Sequence, residues 1–404
     1  MGIEDHSHDH YHLNRCLDEY PNLSEAKPVY RNVGWSLGNR CPLKCRQCYS
    51  KSAREAGMDL SCELIDRVID QLSGLRVHTV NLGGNEPIYT NGLNPKHSKL
   101  PYILSSLTER GIKVGITSAG PTITMLNRHF PESLKLINDV DISLDSPVAS
   151  EHDQNRGQKG IYRLAMNALD IVEKMGIPRS LIMCAMNWNF TPDRIGAFID
   201  LARAHDANVR FNPIKPVERE HMALTLSPTQ FFDGLKIVTE KCDTVDLSDP
   251  AWAVAGSVNK DRVSGCPCGV NSFRIHSITP DGQLPISPCV YLHDYKSGDL
   301  ATQEIGEILQ SSPFREFRRR KGNPDMIRGC EGCSDLDVCG GGCASRAYLH
   351  SMHTDDSQRS IFIKDPYCPK DNLPECDSVN PVTFTEQEDL VHMGYLCTGI
   401  FKPR

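Results

Sequence analysis

Three cysteines stand within eight residues, Cys41, Cys45 and Cys48 in CPLKCRQC, at spacing C-x3-C-x2-C. So short a loop can wrap one metal centre, but a closed zinc site normally takes four ligands. In a four-iron cubane, three thiolates fix three irons and leave the fourth open to an exogenous ligand. The alternative is a zinc loop whose fourth ligand comes from elsewhere. A second group, Cys330, Cys333, Cys339 and Cys343, is spaced C-x2-C-x5-C-x3-C around Gly340–Gly342. Cys368 follows in DPYCP, and Cys266, Cys268 and Cys289 lie upstream. Eight thiolates match either a pair of four-cysteine zinc knuckles or two iron–sulfur clusters.

The rest of the composition sets the context. The chain of 404 residues is long enough for two to three domains, and its net charge of −7, with 7% aromatic residues, gives no basic footprint for nucleic acid. No run approaches the roughly 18 apolar residues of a membrane span. The opening MGIEDHSHDHYH has neither the basic nor the apolar region of a signal peptide. A cytoplasmic chain without membrane or nucleic-acid partners is the expectation. In a reducing compartment its 17 cysteines point to metal or redox chemistry more than to disulfides.

These residues need elements to hold them. Between residues 31 and 242 short β-branched runs alternate with helical stripes, giving a βα unit six times. The strands are expected at Val33–Leu37, Val77–Leu82, Lys113–Thr117, Asp139–Leu144, Ser180–Met186 and Asn208–Ile214. Intervening helices imply parallel pairing, in a doubly wound sheet or an incomplete barrel, with chemistry at the strands' C-terminal ends. Beyond Cys242 strands shorten and Gly and Pro accumulate, as in a small domain held by metal rather than by a core. The expected division is an N-terminal flap or tail over 1–30, the α/β unit over 31–242, a linker over 243–262, the cysteine-rich domain over 263–370 and a C-terminal tail over 371–404.

Cys41, Cys45 and Cys48 after the first of six βα units resemble the cluster loop of the radical S-adenosylmethionine (SAM) enzymes. The resemblance continues along the chain. Gly83-Gly84-Asn85-Glu86-Pro87 is similar to the GGEP turn, Thr117-Ser118-Ala119-Gly120 to the TNG-like turn, and Ser143-Leu144-Asp145 with His152-Asp153 and Arg156-Gly157 to the S-L-D and H-D-x-x-R-G pattern. It implies a partial (β/α)6 barrel of the α/β class, with Gly83, Gly84, Glu86, Ser118, Ser143, Asp145 and Arg156 around SAM. Glu86 would meet the methionine ammonium in a charge-assisted hydrogen bond. The residue before the third cysteine, aromatic in the family, is Gln47, and Tyr49 is the substitute beside the adenine. Asn85 lengthens the GGEP turn by one residue. The second cysteine group resembles the SPASM extension with two auxiliary clusters. Its threading assigns Cys330, Cys333, Cys339 and Cys368 to one, and Cys343 to the other with Cys289, Cys266 and Cys268. If only one of Cys266 and Cys268 ligates, that second cluster keeps an open iron.

The resemblance implies three [4Fe-4S] clusters and SAM as cofactors. A 5′-deoxyadenosyl radical would take a hydrogen atom from the substrate, the cofactor carrying the chemistry and the protein positioning it. The expected substrate is a ribosomally made peptide, crosslinked, thioether-bridged or oxidised. The alternatives are a small metabolite such as a sugar, aminoglycoside, nucleoside or tetrapyrrole, and, from another class, a non-catalytic zinc-stabilised binding protein. Only 40 residues precede Cys41, too few for the fused leader-recognition domain of many peptide modifiers, which counts against a peptide unless leader recognition is a separate protein; a flavodoxin- or ferredoxin-like electron donor is expected. Three further features stand out. His6, His8, His10 and His12 form a solvated tail or an adventitious metal site. Arg315, Arg318, Arg319, Arg320 and Lys321 form either a docking patch for an acidic partner or a solvated face. Cys62 and Cys184 read as core cysteines, whereas Cys397, in the apolar tail GYLCTGIF, could fold back over the barrel mouth as ligand or acid.

Overall fold

The computed structural model describes residues 30–38, 40–50, 57–258, 265–373, 379, 381–387 and 390–404. All six expected strands are present: β1 Asn32–Trp35, β2 Thr79–Leu82, β3 Lys113–Ser118, β4 Asp139–Ser143, β5 Arg179–Ala185 and β6 Asn208–Pro213. They pair in parallel in chain order, with Val33 opposite Val80 and Ile142 opposite Leu181. Alternation at period two gives each strand two unlike faces. On β6, Val209 and Phe211 are fully buried in the main core, while Arg210 and Asn212 line the interior cavity. Helices cover the apolar face. Cys62–Gly74, capped by Ser61 through a 3.2 Å bond from the Leu64 N–H, buries Ile65, Val68, Ile69 and Leu72 against it. Each such side chain contributes about 1.5–3 kcal/mol.

The sheet has ten strands, because both ends are extended. Beside β1, β8 (Ser272–Ile275) pairs in parallel, and β9 (Ile286–Ser287) pairs antiparallel to β8. Beyond β6 the described part of the expected linker is regular structure. Cys242–Leu247 forms β7, and Pro250–Ala255 is a helix whose Trp252 packs on Phe231 at 5.2 Å between ring centroids. The last strand, β10 (Gly399–Pro403), lies antiparallel between β6 and β7. Its bond partners are about 150 to 190 residues back, so no local periodicity announces it.

The cysteine-rich region is not held by metal alone. It has a small core of its own, in which Leu292, Phe317, Leu349 and Ile361 pack around Cys268 and Cys289. A buried ion-pair triad ties it to the barrel: Arg346 binds Asp365 at 2.6 Å and Asp249 at 2.9 Å, with all three side chains nearly inaccessible. The histidine-rich start lies outside the described residues.

Candidate active site and thiol clusters

The loop after β1 carries Cys41, Cys45 and Cys48 to the C-terminal ends of the strands. It is pinned by backbone bonds from Lys44 N–H to the Arg156 carbonyl (3.2 Å) and from Arg46 N–H to the Asn155 carbonyl (3.0 Å). Gly157 permits this approach: its φ is +66°, and a Cβ there would stand 2.8 Å from the Lys44 carbonyl oxygen. The three thiols line a cavity of about 1160 Å³, counting the part open to solvent, together with Tyr49, Gly83, Gly84, Glu86, Ser118, Ser143 and Arg156. Eight of the nine side chains or turns expected around SAM, counting the cysteine loop as one, therefore meet at one site.

Asp145 is the exception. It is fully buried and does not line the cavity. Its carboxylate accepts from Gln47 Nε2 (2.8 Å), Asn155 Nδ2 (2.8 Å) and Arg156 Nη2 (3.0 Å). Burial pushes its carboxyl up, but the Arg156 charge wins and holds it below the ordinary value. In this structure Asp145 therefore braces Gln47, Asn155 and Arg156 behind the cavity. Gln47 explains its own departure from an aromatic: it bridges Asp145 and Asn155, accepting from the latter at 2.9 Å. Burial pushes the Cys45 thiol up to about 11, and Arg156, reaching its Sγ at 3.9 Å, opposes the rise.

Glu86 is 3% exposed and accepts four hydrogen bonds: from Ala119 N (2.6 Å) on Oε1, and from Ser118 Oγ (2.8 Å), Thr122 Oγ1 (2.8 Å) and Thr122 N (3.2 Å) on Oε2. Burial raises its carboxyl pKa, and these donors oppose the rise. The inserted Asn85 ties the turn to the cysteine loop, donating to the carbonyls of Leu37 (3.1 Å) and Gly38 (2.7 Å). Its Oδ1 is buried without a hydrogen-bond partner. Gly84, at φ +90°, has Ser36 Oγ only 2.2 Å from where a Cβ would stand.

Several cavity residues were not foreseen. Arg210 pairs with Asp141 and keeps Nε and Nη2 without hydrogen-bond partners. Lys215 is 4% exposed, and Tyr291 and Tyr395 add aromatic wall, Tyr291 meeting Tyr49 edge-on at 5.1 Å. The signal for Arg210 was available: Asn208, Arg210 and Asn212 put polar groups on one face of an otherwise apolar strand. Cys184, expected in the core, also lines the cavity, while Cys62 accepts a 3.4 Å contact from Lys99 Nζ. Both readings of the basic run fail at two positions. Arg318 and Arg320 are buried, and Arg320 donates to the carbonyls of Gly340, Gly341 and Gly342, the turn between Cys339 and Cys343.

In the C-terminal region Cys330, Cys333, Cys339 and Cys368 line one recess of about 380 Å³. Cys343 points elsewhere. Its N–H is held by Asp365 at 2.7 Å, and its thiol faces Cys397 and lies near Cys266. Cys268 faces Cys266, Cys289 and Cys397. Burial raises the pKa of Cys41 and Cys339 to about 12. Among the described residues no three thiols lie within 4.8 Å of one another; the group that does is Asp170, Glu173 and His205. Thiolates around one zinc would be about 3.8 Å apart, given bonds of about 2.3 Å. The wider spacing suits a polynuclear cluster. The described tail residues do not cross the mouth as expected. His392 binds Asp139, the first residue of β4, at 2.7 Å, and Asn32, the first of β1, donates to the Met393 carbonyl at 3.1 Å, so the tail closes the floor.

Residues 35–202 match the Radical SAM superfamily model, and residues 266–334 match the SPASM iron-sulfur cluster-binding domain. The chain is 27% identical over 335 residues to the mycofactocin maturase MftC of Mycolicibacterium smegmatis, covering 80% of each protein. It is 23% identical to the PqqA peptide cyclase of Granulibacter bethesdensis, covering 82% of this chain and 85% of that one. Streptococcus suis SuiB, solved with its precursor peptide SuiA, shares the fold at TM-score 0.62 and 15% identity, over 91% of this chain and 83% of that one. Both family matches fall on the regions the geometry separates, a barrel with a three-thiol loop and a thiol-rich extension, and the chain is a radical SAM enzyme with a SPASM domain.

Proposed function

We propose that the enzyme modifies a peptide by hydrogen-atom abstraction within the barrel cavity. Cys41, Cys45 and Cys48 are the ligands of the SAM-cleaving cluster, and the donor set suits it: three thiols from one loop, with Arg156 beside Cys45. Held there and reduced, the cluster would supply the electron for cleavage of SAM to methionine and a 5′-deoxyadenosyl radical. The protein's own groups do the positioning. Glu86 Oε1, with one hydrogen bond, and the unpartnered Asn85 Oδ1 are acceptors for the ammonium. The free donors of Arg210 and the Lys215 ammonium are anion receptors. Tyr49, Tyr291 and the aliphatic wall exclude water from the radical. Cys330, Cys333, Cys339 and Cys368 hold one auxiliary cluster, and the Cys343 group holds the other. Reduction calls for a flavodoxin- or ferredoxin-like donor.

The observation that favours a peptide over a small metabolite is the place of the tail. A buried metabolite needs the mouth closed over it, and the described tail residues around His392 and Met393, which the sequence offered for that role, are engaged at the floor by Asp139 and Asn32. The test is transfer of deuterium into 5′-deoxyadenosine. The reduced enzyme is incubated with deuterated peptides encoded beside its gene and, separately, with deuterated sugars or nucleosides. Label from a peptide is expected; label from a metabolite alone would replace the proposal with the small-molecule reading.

A further inference from the structure

Cys397 occupies a place that neither cysteine pattern assigns to it. The segment 390–398 crosses the barrel floor and continues into β10, so Cys397 is not part of a frayed end. Thr398 fixes it: its Oγ1 donates to the Phe211 carbonyl at 2.8 Å, and its carbonyl accepts from Ser248 N–H (2.9 Å) and Asp249 N–H (3.1 Å). Asp249 is the same residue that anchors Arg346, three positions after Cys343. The Cys397 thiol is 8% exposed, is absent from the cavity lining, and is flanked by the thiols of Cys266, Cys268 and Cys343. None of these is in a disulfide. Lys321 lies near both Cys266 and Cys397 and adds positive charge. With Cys289 beside Cys268, five thiols converge where a four-iron cluster takes four.

We infer that Cys397 is a ligand of the auxiliary cluster bound by Cys343, and that the C-terminal tail exists to deliver it. This rests on the iron–sulfur reading proposed above. Four irons take four thiolates, so Cys397 competes with one member of the tight Cys266-Pro267-Cys268 pair, whose two thiols face each other across a single proline. The cluster is then closed by protein ligands. It has no open iron for substrate, and it serves as an electron site rather than a substrate-binding one.

The experiment uses the full chain, reconstituted anaerobically with 57Fe and carrying Ala at Cys41, Cys45 and Cys48, so that the auxiliary clusters are seen alone. Into it go Cys397→Ala, Cys397→Ser and, as a thiol control, Cys62→Ser. Iron, acid-labile sulfide, electron paramagnetic resonance and the reduction potentials of both clusters are measured. With Cys397→Ala, loss of about four irons, or retained iron with altered g values and potential at one cluster only, is the expected result. Cys62→Ser leaves both clusters unchanged. Should the alanine variant not fold, the nearly isosteric serine variant reads the same shift through a changed ligand atom. Iron, spectra and potentials identical to the parent in a folded Cys397 variant would overturn the inference. A parent chain with zinc and no sulfide would overturn the iron–sulfur reading itself, which is a different failure.

Discussion

The two thiol regions are built by opposite strategies. Cys41, Cys45 and Cys48 come from one short loop, and that loop is held by backbone bonds to a single helix end at Asn155 and Arg156. The Cys343 group is drawn from distant segments around 266, 289, 343 and 397, held together by long-range packing and by the triad of Arg346, Asp249 and Asp365. A local site survives the loss of distant structure. An assembled one depends on every segment that reaches it, and its geometry reports the integrity of the whole sheet.

Removing the local site alone is the largest expected effect. With Cys41, Cys45 and Cys48 all changed to Ala, SAM cleavage falls to zero while iron falls by about one third, as expected for one of three four-iron clusters. Loss of the auxiliary signals in that variant would show that the regions are not independent. The assembled site should yield to a single side chain. Arg346→Met removes the cation between two buried carboxylates, and stranding such charges costs about 3–5 kcal/mol. Chemical denaturation should show that loss, and the Cys343 cluster should be lost before the SAM cluster in an iron and spectral titration.

The same contrast explains what the sequence disclosed. Strands β1 to β6 were legible because each carries its own period of two, and the polar motifs at their ends were legible because they are contiguous. Strand β10 was not, since GIFKP becomes a strand only by finding β6 and β7. For the same reason the tail was placed at the wrong end of the barrel, and Cys397 was left without a group. Asp145 is a different case. Its motif is local, but whether its carboxylate faces the cavity depends on Gln47 and Asn155, which arrive from a loop and a helix.

Glu86 sharpens the comparison at the scale of one hydrogen bond. Its four protein donors make it part of the turn, and Oε1 is its remaining acceptor toward the cavity. Glu86→Gln keeps the shape and removes the charge. Losing a charge-assisted hydrogen bond costs about 1.5–3 kcal/mol, so SAM should bind roughly 10- to 150-fold more weakly, with iron content unchanged. Calorimetric titration of the reconstituted protein measures both; unchanged affinity would reduce Glu86 to a structural brace.

The smallest effect lies in the support behind the local site. His152 is fully buried, and its Nδ1 accepts the Asp145 N–H at 3.0 Å, which requires the neutral ring. Burial first, then the Arg156 charge, lowers its pKa from 6.5 to about 4. In the unfolded chain the ring takes its proton as pH falls through about 6.5, whereas the folded chain refuses it, so the unfolded state binds more protons and stability falls with pH. Between pH 7 and pH 5 this amounts to about 2 kcal/mol. Asp145, whose pKa is lowered, loses its contribution only at more acidic pH. Glu86, whose pKa is raised, acts in the opposite sense, gaining stability as pH falls. The measurement is therefore a difference: urea midpoints at several pH values for the native chain and for His152→Gln, which keeps an acceptor and cannot titrate. The native profile should fall more steeply toward pH 5, and two parallel profiles would remove His152 from the acid response.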